Sequence, residues 1–302
     1  MRIQVAVTIA DGEMRCDFSG TSAQVRGPFN CMPSGPYAAA CFALRAVTDP
    51  EGRIPNNGGC FRPIRLDLPE ASLVNPREPA PTGCRTSTIK RITGCILGAL
   101  RQAAPDRVPA DSGSEIVILH FGGERADGSR YVTSQLLVAG SGAGPSDDGV
   151  DVIETDASNC LNVPAEALMM EAPIRVHRAD LARDSGGPGR FRGGLGGVWE
   201  YELLEGEATV TYRGERHFCE AAGTAGGLPG ACARAAIHRV DGTQEMVASK
   251  IVARLHRGDR LVVVTAGGGG HGNPAEREPW RVRDDMADGK ISAAIVAETD
   301  ER

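Results

Sequence analysis

The run Asp184–Gly197, DSGGPGRFRGGLGG, sets an acid, a serine and two arginines among seven glycines. Glycines let a backbone approach a ligand or another segment closely. Arg190 and Arg192 could hold a carboxylate or phosphate if they lie on one side of the chain. The opposing reading is a close-packed crossing of a loop over a sheet, with the arginines tied to Glu166 or Glu171. A second polar cluster, Asp17, Ser19, Thr21 and Gln24, gathers hydrogen-bonding groups after an alternating apolar stretch. It suits substrate binding or the capping of loop amides. His271 is the third candidate, because it stands among Gly267–Gly270 and Gly272, where an imidazole is unhindered.

Two local motifs mislead. Asp184-Ser185-Gly186-Gly187-Pro188 reproduces the surroundings of a trypsin-like nucleophile, which needs a histidine base. Here Arg183 replaces the usual glycine, an Arg-Gly run follows, and no histidine sits in an Ala-His-Cys setting. Gly267, Gly269 and Gly272 have the spacing of a dinucleotide-binding turn. Asn273-Pro274 and the charged run Glu276–Glu278 open no amphipathic helix to receive a pyrophosphate. The six histidines never occur as His-x-His or at i, i+4, and the nine cysteines include no Cys-x-x-Cys. No metal site is expected on this chain, and the thiols read as reduced.

The elements that must position these groups are short. Thirty-nine glycines and nineteen prolines interrupt the 302 residues, and Asp-Gly pairs at 11–12, 127–128, 148–149 and 241–242 mark tight turns. Alternation predicts a hairpin of Ile3–Ile9 with Met14–Phe18, and strand pairs at 115–121 with 131–138, 198–204 with 207–213, and 234–240 with 246–253. Leu261–Thr265 reads as a buried strand, and another short strand falls around Arg65–Leu68. Helices are predicted from Ser34-Gly35-Pro36 to before Pro50, and from Thr86-Ser87-Thr88 to before Pro105. The fold class is α+β, β-rich with several antiparallel hairpins and two main helices, as one compact unit with room for two lobes meeting near residue 145. A net charge of −6 without a basic run argues against nucleic acid or an anionic membrane as partner. The start, MRIQVAVTIADGE, has no secretory h-region, so a cytoplasmic location is expected.

Taken in order, many stretches resemble one family. They are Asp17–Ser22 with Gln24, Gly27-Pro28 and Asn30; Ile54-Pro55-Asn56 with Gly58; Arg62-Pro63-Ile64; and Leu73–Pro76 with Pro79-Ala80. Ala99-Leu100 with Pro105, Asn159, Asn162, Pro164, Glu166, Glu171 and Pro173 come next, then Asp184–Gly197 and Gly267–Pro274 with Arg277. From residue 1 to about 292 the chain resembles the carboxy-terminal portion of the hydantoinase B/oxoprolinase family, with 293–302 a divergent tail.

That resemblance implies a subunit of an ATP-dependent enzyme that opens cyclic amides such as 5-oxoproline or hydantoins, working with a hydantoinase A-like partner that phosphorylates the ring carbonyl. Related assemblies carboxylate ketones instead, and a third possibility is a scaffold lacking the metal-binding half. The family's amino-terminal Gly-Gly-x-His-x-x-Asp segment and later histidines, which look like metal ligands, have no counterpart here. ATP and a divalent metal are therefore expected in the partner or in a separately encoded amino-terminal half, with no cofactor bound by this chain alone. An edge left open by such a division leads to the expectation of an oligomer. The residues assigned catalytic roles are Asp184, Arg192 and His271, and those assigned to substrate are Asp17, Thr21, Gln24 and Arg190.

Overall fold

The computed structural model describes residues 1–114 and 116–295. Residue 115, the first of an expected strand, and 296–302 of the expected divergent tail lie outside the described residues. The chain divides into two compact units, Met1–Pro109 with Thr155–Ser158, and Ala110–Glu154 with Asn159 onward. The division falls at 109/110 instead of near 145. Residues 110–149 belong to the second unit because Asp111 donates to the Ala222 carbonyl at 3.0 Å and the Ser141 carbonyl accepts from Gly194 N at 2.8 Å. No helix among the described residues is long and apolar enough to cross a membrane.

In the first unit, strands β1 (Ala6–Ala10) and β2 (Glu13–Asp17) pair antiparallel through the Asp11-Gly12 turn, where both residues have positive φ. Strand β3 (Ile64–Asp67) lies parallel to β2. Helices α1 (Ser34–Thr48) and α2 (Arg85–Ala103) pack together, and Met14, Cys16 and Phe18 meet Ala39, Ala40, Ile92, Ile96 and Leu100 in one core. The expected alternation holds on β2, but Ile9 on β1 is exposed. Lys90 is buried on α2 with its ammonium donating to the Thr155 carbonyl, which ties 155–158 to this unit.

The second unit is built on two sheets that share a core. One has the order β5-β4-β8-β11, from β4 (Ile116–Glu124), β5 (Arg130–Val138), β8 (Glu207–Arg213) and β11 (Lys250–His256). The other has the order β6-β7-β12-β9-β10, from β6 (Ile174–Leu181), β7 (Gly197–Leu203), β9 (Arg234–His238), β10 (Gln244–Met246) and β12 (Arg260–Val264). Val117, Leu119 and Phe121 of the first face Trp199, Tyr201 and Leu203 of the second, with Phe121 edge-on to Tyr201 at 5.5 Å between ring centres. The expected 198–204 and 207–213 strands exist but do not pair with each other. The Gly206 turn passes the chain from one sheet to the other, so each strand buries its alternate residues in the shared core. The 246–253 strand likewise splits into β10 and β11 across Val247–Ser249. Two short helices, α3 (Ala165–Glu171) and α4 (Pro279–Ala287), and strand β6 lie outside the expectations.

Where the sheets end, Gly267–His271 threads through a bundle of loops. Gly267 and Gly270 donate to Ala231 and Leu228, Gly268 and His271 donate to Gly194 and Phe191, and Gly269 donates to Asp111. Carbonyls follow the same rotation, since Gly268 accepts from Gly187, Gly269 from Ala143, and Ala266 from Gly140. Residues three apart therefore bond the same neighbour, the periodicity of an extended helix with three residues per turn and no internal hydrogen bonds. A Cβ on Gly267 would lie 1.8 Å from the Ser185 carbonyl oxygen, on Gly268 1.9 Å from that of Ser141, and on Gly270 2.2 Å from that of Pro188. Replacing Gly268 with alanine is expected to lower stability by more than about 3 kcal/mol, because backbone on several sides must separate. A Cβ on Gly98 of α2 would meet nothing within 4 Å. Gly98→Ala should raise stability by about 0.5–1 kcal/mol. Urea midpoints of the two variants, shifting in opposite directions, are the check.

Candidate functional site

Asp184–Gly197 enters the glycine bundle from β6 and leaves it into β7. Its serine is spent on structure: Ser185 is buried, its hydroxyl donates to the Ala182 carbonyl at 2.6 Å and accepts from Gly196 N at 2.9 Å. That geometry accords with the expectation that Ser185 is no nucleophile. Asp184 has φ 63° and its carboxylate accepts from Ser292 N at 2.6 Å, while Arg183 donates to the Ile291 carbonyl at 2.9 Å. The head of the loop is thus fastened to the segment beyond α4.

Arg192 lies in a buried network of charges. Its Nη1 donates to Asp151 Oδ1 at 3.0 Å and to the Gly193 carbonyl at 2.7 Å, and its Nε to Asp285 Oδ2 at 3.3 Å. Arg277 grips Asp148 with both Nη atoms, at 2.7 and 2.9 Å, and reaches Asp285 at 2.6 Å. Arg281 and Lys290 add longer contacts to Asp148 and Asp151, at 3.3 and 3.5 Å. The partners of Arg192 are therefore aspartates, and the expected ties to Glu166 or Glu171 are not the ones that form. The Glu171 carboxylate instead accepts from Thr133 at 3.3 Å. Beside the network a small cleft of about 100 Å³ lies between the glycine-rich loop and α4, with Arg192, Arg277 and Asp285 in its wall.

Arg190 is exposed, its guanidinium 5.5 Å from the Phe191 ring centre, and Arg281 stacks on the same ring at 5.6 Å. Phe191 and His271 exchange both backbone hydrogen bonds at 2.9 Å, so Phe191, not Arg190, stands directly across from His271. Arg190 and His271 are thus one residue out of step on neighbouring segments. Asp17, Thr21 and Gln24 belong to the first unit and hydrogen-bond to its backbone. Asp17 accepts from Ser19 N at 2.8 Å, Thr21 exchanges hydrogen bonds with Gln4, and Gln24 accepts from Arg77 N at 2.7 Å. Hydrogen bonds from the Ser19 hydroxyl and amide hold the Asp17 carboxyl below its usual range. Among the described residues no three of His, Cys, Asp and Glu converge as a metal site.

The network of Asp148, Asp151 and Asp285 is not legible as a cluster in the sequence. Asp148-Gly149 reads as a turn, and Asp285 sits in a polar stretch whose helix is too short to show periodicity; of the network's outer members, only Arg277 stands out, by its place in the family pattern.

The matching family model covers residues 1–274 and is described as hydantoinase B/oxoprolinase. The chain belongs to that family. It is 31% identical over 300 residues to the B component of a putative D-/L-hydantoinase from a Pseudomonas species, covering 97% of this chain and 50% of that protein. It is 33% identical over 249 residues to the beta subunit of caprolactamase from Pseudomonas jessenii, covering 79% and 43%. The crystal structure of the ATP-dependent caprolactamase from that organism matches 96% of this chain and 52% of its own, with a TM-score of 0.80 and 27% identity. A nucleotide-free acetone carboxylase shares the fold at a TM-score of 0.81 and 19% identity, over 98% of this chain and 44% of that one. The family member described here thus spans about half the length of the curated relatives it matches.

The network has a pH signature. Burial pushes the Asp148 carboxyl up, but the hydrogen bonds and charge of Arg277 outweigh it and hold the group below the ordinary carboxylate range. A carboxyl depressed on folding contributes stability that is in place above its unfolded pKa, about 4, and is lost as pH falls through the folded value. Asp148→Asn should cost about 3 kcal/mol at pH 7, since it strands buried guanidinium groups. The gap to the parent chain should shrink at pH 3. Urea midpoints at both pH values test this, and a gap of constant size would contradict it.

Proposed function

We propose that this chain is part of a subunit of an ATP-dependent cyclic amide hydrolase that works in a complex with a partner of the hydantoinase A type. The observation that carries the proposal is the double likeness to caprolactamase, 33% identity to its beta subunit and a TM-score of 0.80 to its crystal structure. The likeness to acetone carboxylase, at 19% identity, is one of fold. ATP activates the amide carbonyl on the partner in this reading. The donor set among the described residues does not fit a resident metal, so no step on this chain is routed through one.

What this chain contributes is shape and charge. Gly186–Gly197 and Gly267–Gly272 form a stiff backbone frame, with Arg190 and His271 near its open end as the groups offered to a ring-opened carboxylate, a phosphorylated intermediate or the partner. Asp184 and Arg192 act as positioning residues, because they pin the loop that carries Arg190. Asp17, Thr21 and Gln24 shape a loop of the first unit. Cytoplasmic chemistry fits an ATP-consuming assembly.

Co-expression with the reading frames encoded beside it, followed by purification of the complex, gives the test. Incubation with 5-oxoproline, hydantoins and caprolactam should produce ring-opened product in step with ADP. Arg190→Ala and His271→Ala should each lower kcat/KM at least about tenfold without moving the melting temperature. ATP turnover that requires bicarbonate and a ketone, with no amide opened, would replace this proposal with the carboxylase alternative. A complex that turns over neither would favour a scaffold.

A further inference from the structure

After β8 the chain runs through Gly214–Ala221, and it returns past the same place at Gly230–Ala233 on the way into β9. Two backbone rungs tie the passages together, Gly230 N to the Ala221 carbonyl and Ala233 N to the Arg216 carbonyl, both 3.0 Å. Between the rungs lie His217, Phe218, Cys219 and Glu220 on one side and Ala231 and Cys232 on the other. Cys219 and Glu220 lie near enough to Cys232 for their charges to act on its thiol, and a disulfide spans Cα separations of about 4.4–6.8 Å. The longer side is a bulge drawn closed by Arg216, whose Nη1 donates to the Glu220 carbonyl at 2.6 Å. Arg216 is itself anchored, since its other nitrogens donate to the Ser112 and Gly113 carbonyls at 3.0 and 3.3 Å.

The two thiols differ in setting. Among the described residues, which include all nine cysteines, Cys219 alone is exposed, and no disulfide is present. Cys232 is half-buried, and burial, together with the nearby charges of Glu220 and Cys219, pushes its thiol up. Of the others, Cys16, Cys31 and Cys84 are buried, with the first two in the packed core of the first unit.

We propose that Cys219 and Cys232 form a reversible intrachain disulfide under oxidation by a peroxide, with Cys219 as the thiol oxidised first. The Cys219 thiolate takes one oxygen of hydrogen peroxide, the O–O bond breaks, and the departing hydroxide leaves as water after protonation. The sulfenic acid so formed is attacked by the Cys232 sulfur, the S–O bond breaks, and a second water carries away the thiol proton. Two thiols and one peroxide give one disulfide and two waters. A dithiol reductant reverses the step by thiol–disulfide exchange.

The bond would close a ring over the segment between them, and that segment walls the glycine bundle. Within it Thr224 donates to the Gly270 carbonyl, Leu228 to that of Pro188, and Ala222 accepts from Asp111. Oxidation therefore stiffens one side of the frame around His271. The inference does not depend on the amide hydrolase reading, because it rests on the thiols and is assayed at the thiols alone.

The test is peptide mapping by mass spectrometry after treatment of the purified chain with hydrogen peroxide. A mass loss of about 2 Da and a peptide joining Cys219 to Cys232 are expected, with the melting temperature raised by about 5–10 °C and restored by dithiothreitol. Cys219→Ser, at an exposed position, should abolish the crosslink. Cys232→Ser should leave Cys219 to accumulate added oxygen or to join two chains. Over-oxidation of Cys219 in the parent chain, an interchain dimer through it, or a crosslink to a different cysteine would each overturn the proposal.

Discussion

Gly267–Gly270 must satisfy its backbone hydrogen bonds sideways, on three faces in turn, against segments that come within contact distance of its own backbone. A buried amide without a partner is costly, and here neither a helix nor a sheet supplies the partners. The solution is an extended thread with threefold periodicity inside a cage of loops, and it admits no side chain. The rest of the bundle is shaped by this need. Gly186, Gly187, Gly193 and Gly194 have to be glycine because they form the cage, and Ser141, Ala222 and Leu228 contribute through backbone atoms. The family's glycine-rich signature is in this sense a packing requirement between backbones before it is anything chemical.

A cage of backbone has little apolar surface with which to hold itself shut. Fastening falls to the charges at its rim, where Arg192 and Arg277 hold Asp148, Asp151 and Asp285, and to the clamps from Asp184 and Arg183 on the segment beyond α4. Ionic ties of this kind contribute specificity of arrangement as much as stability, since each charge buried without its partner would be strongly unfavourable. They fix the direction in which the loop bearing Arg190 leaves the cage. Side chains carried on such a frame are placed by backbone stiffness instead of by a surrounding shell of side chains.

Local signals carried much of the fold. Asp11-Gly12 marks its hairpin because both residues adopt positive φ there, and the 3.6-residue stripe Ile92, Ile96, Leu100 marks α2 because that stripe lies in the core. The sequence does not reveal that the neighbouring strands around Trp199 and Val210 belong to different sheets, since a short turn looks the same whether the chain folds back in plane or crosses to the facing layer. It also hides α4, whose one buried residue is the charged Asp285, and with it the role of that carboxylate. Arg192 stands out by its glycine neighbours, yet only the fold brings Asp148 and Asp151 from about forty residues earlier to meet it. Asp17, Thr21 and Gln24 illustrate the converse, a polar cluster visible in the sequence whose hydrogen bonds go to the backbone of the first unit.

The glycine bundle also sets an order of events. Its segments come from residues near 111, 141, 190, 225 and 268, so the hydrogen bonds of Gly267–His271 all join parts of the chain far apart in sequence. Contacts of such long sequence separation incur loop-closure entropy before they return any enthalpy, and glycine, the freest residue when unfolded, loses the most on being fixed. The region that carries the family signature is therefore expected to become native only as the sheets that hold its ends come together.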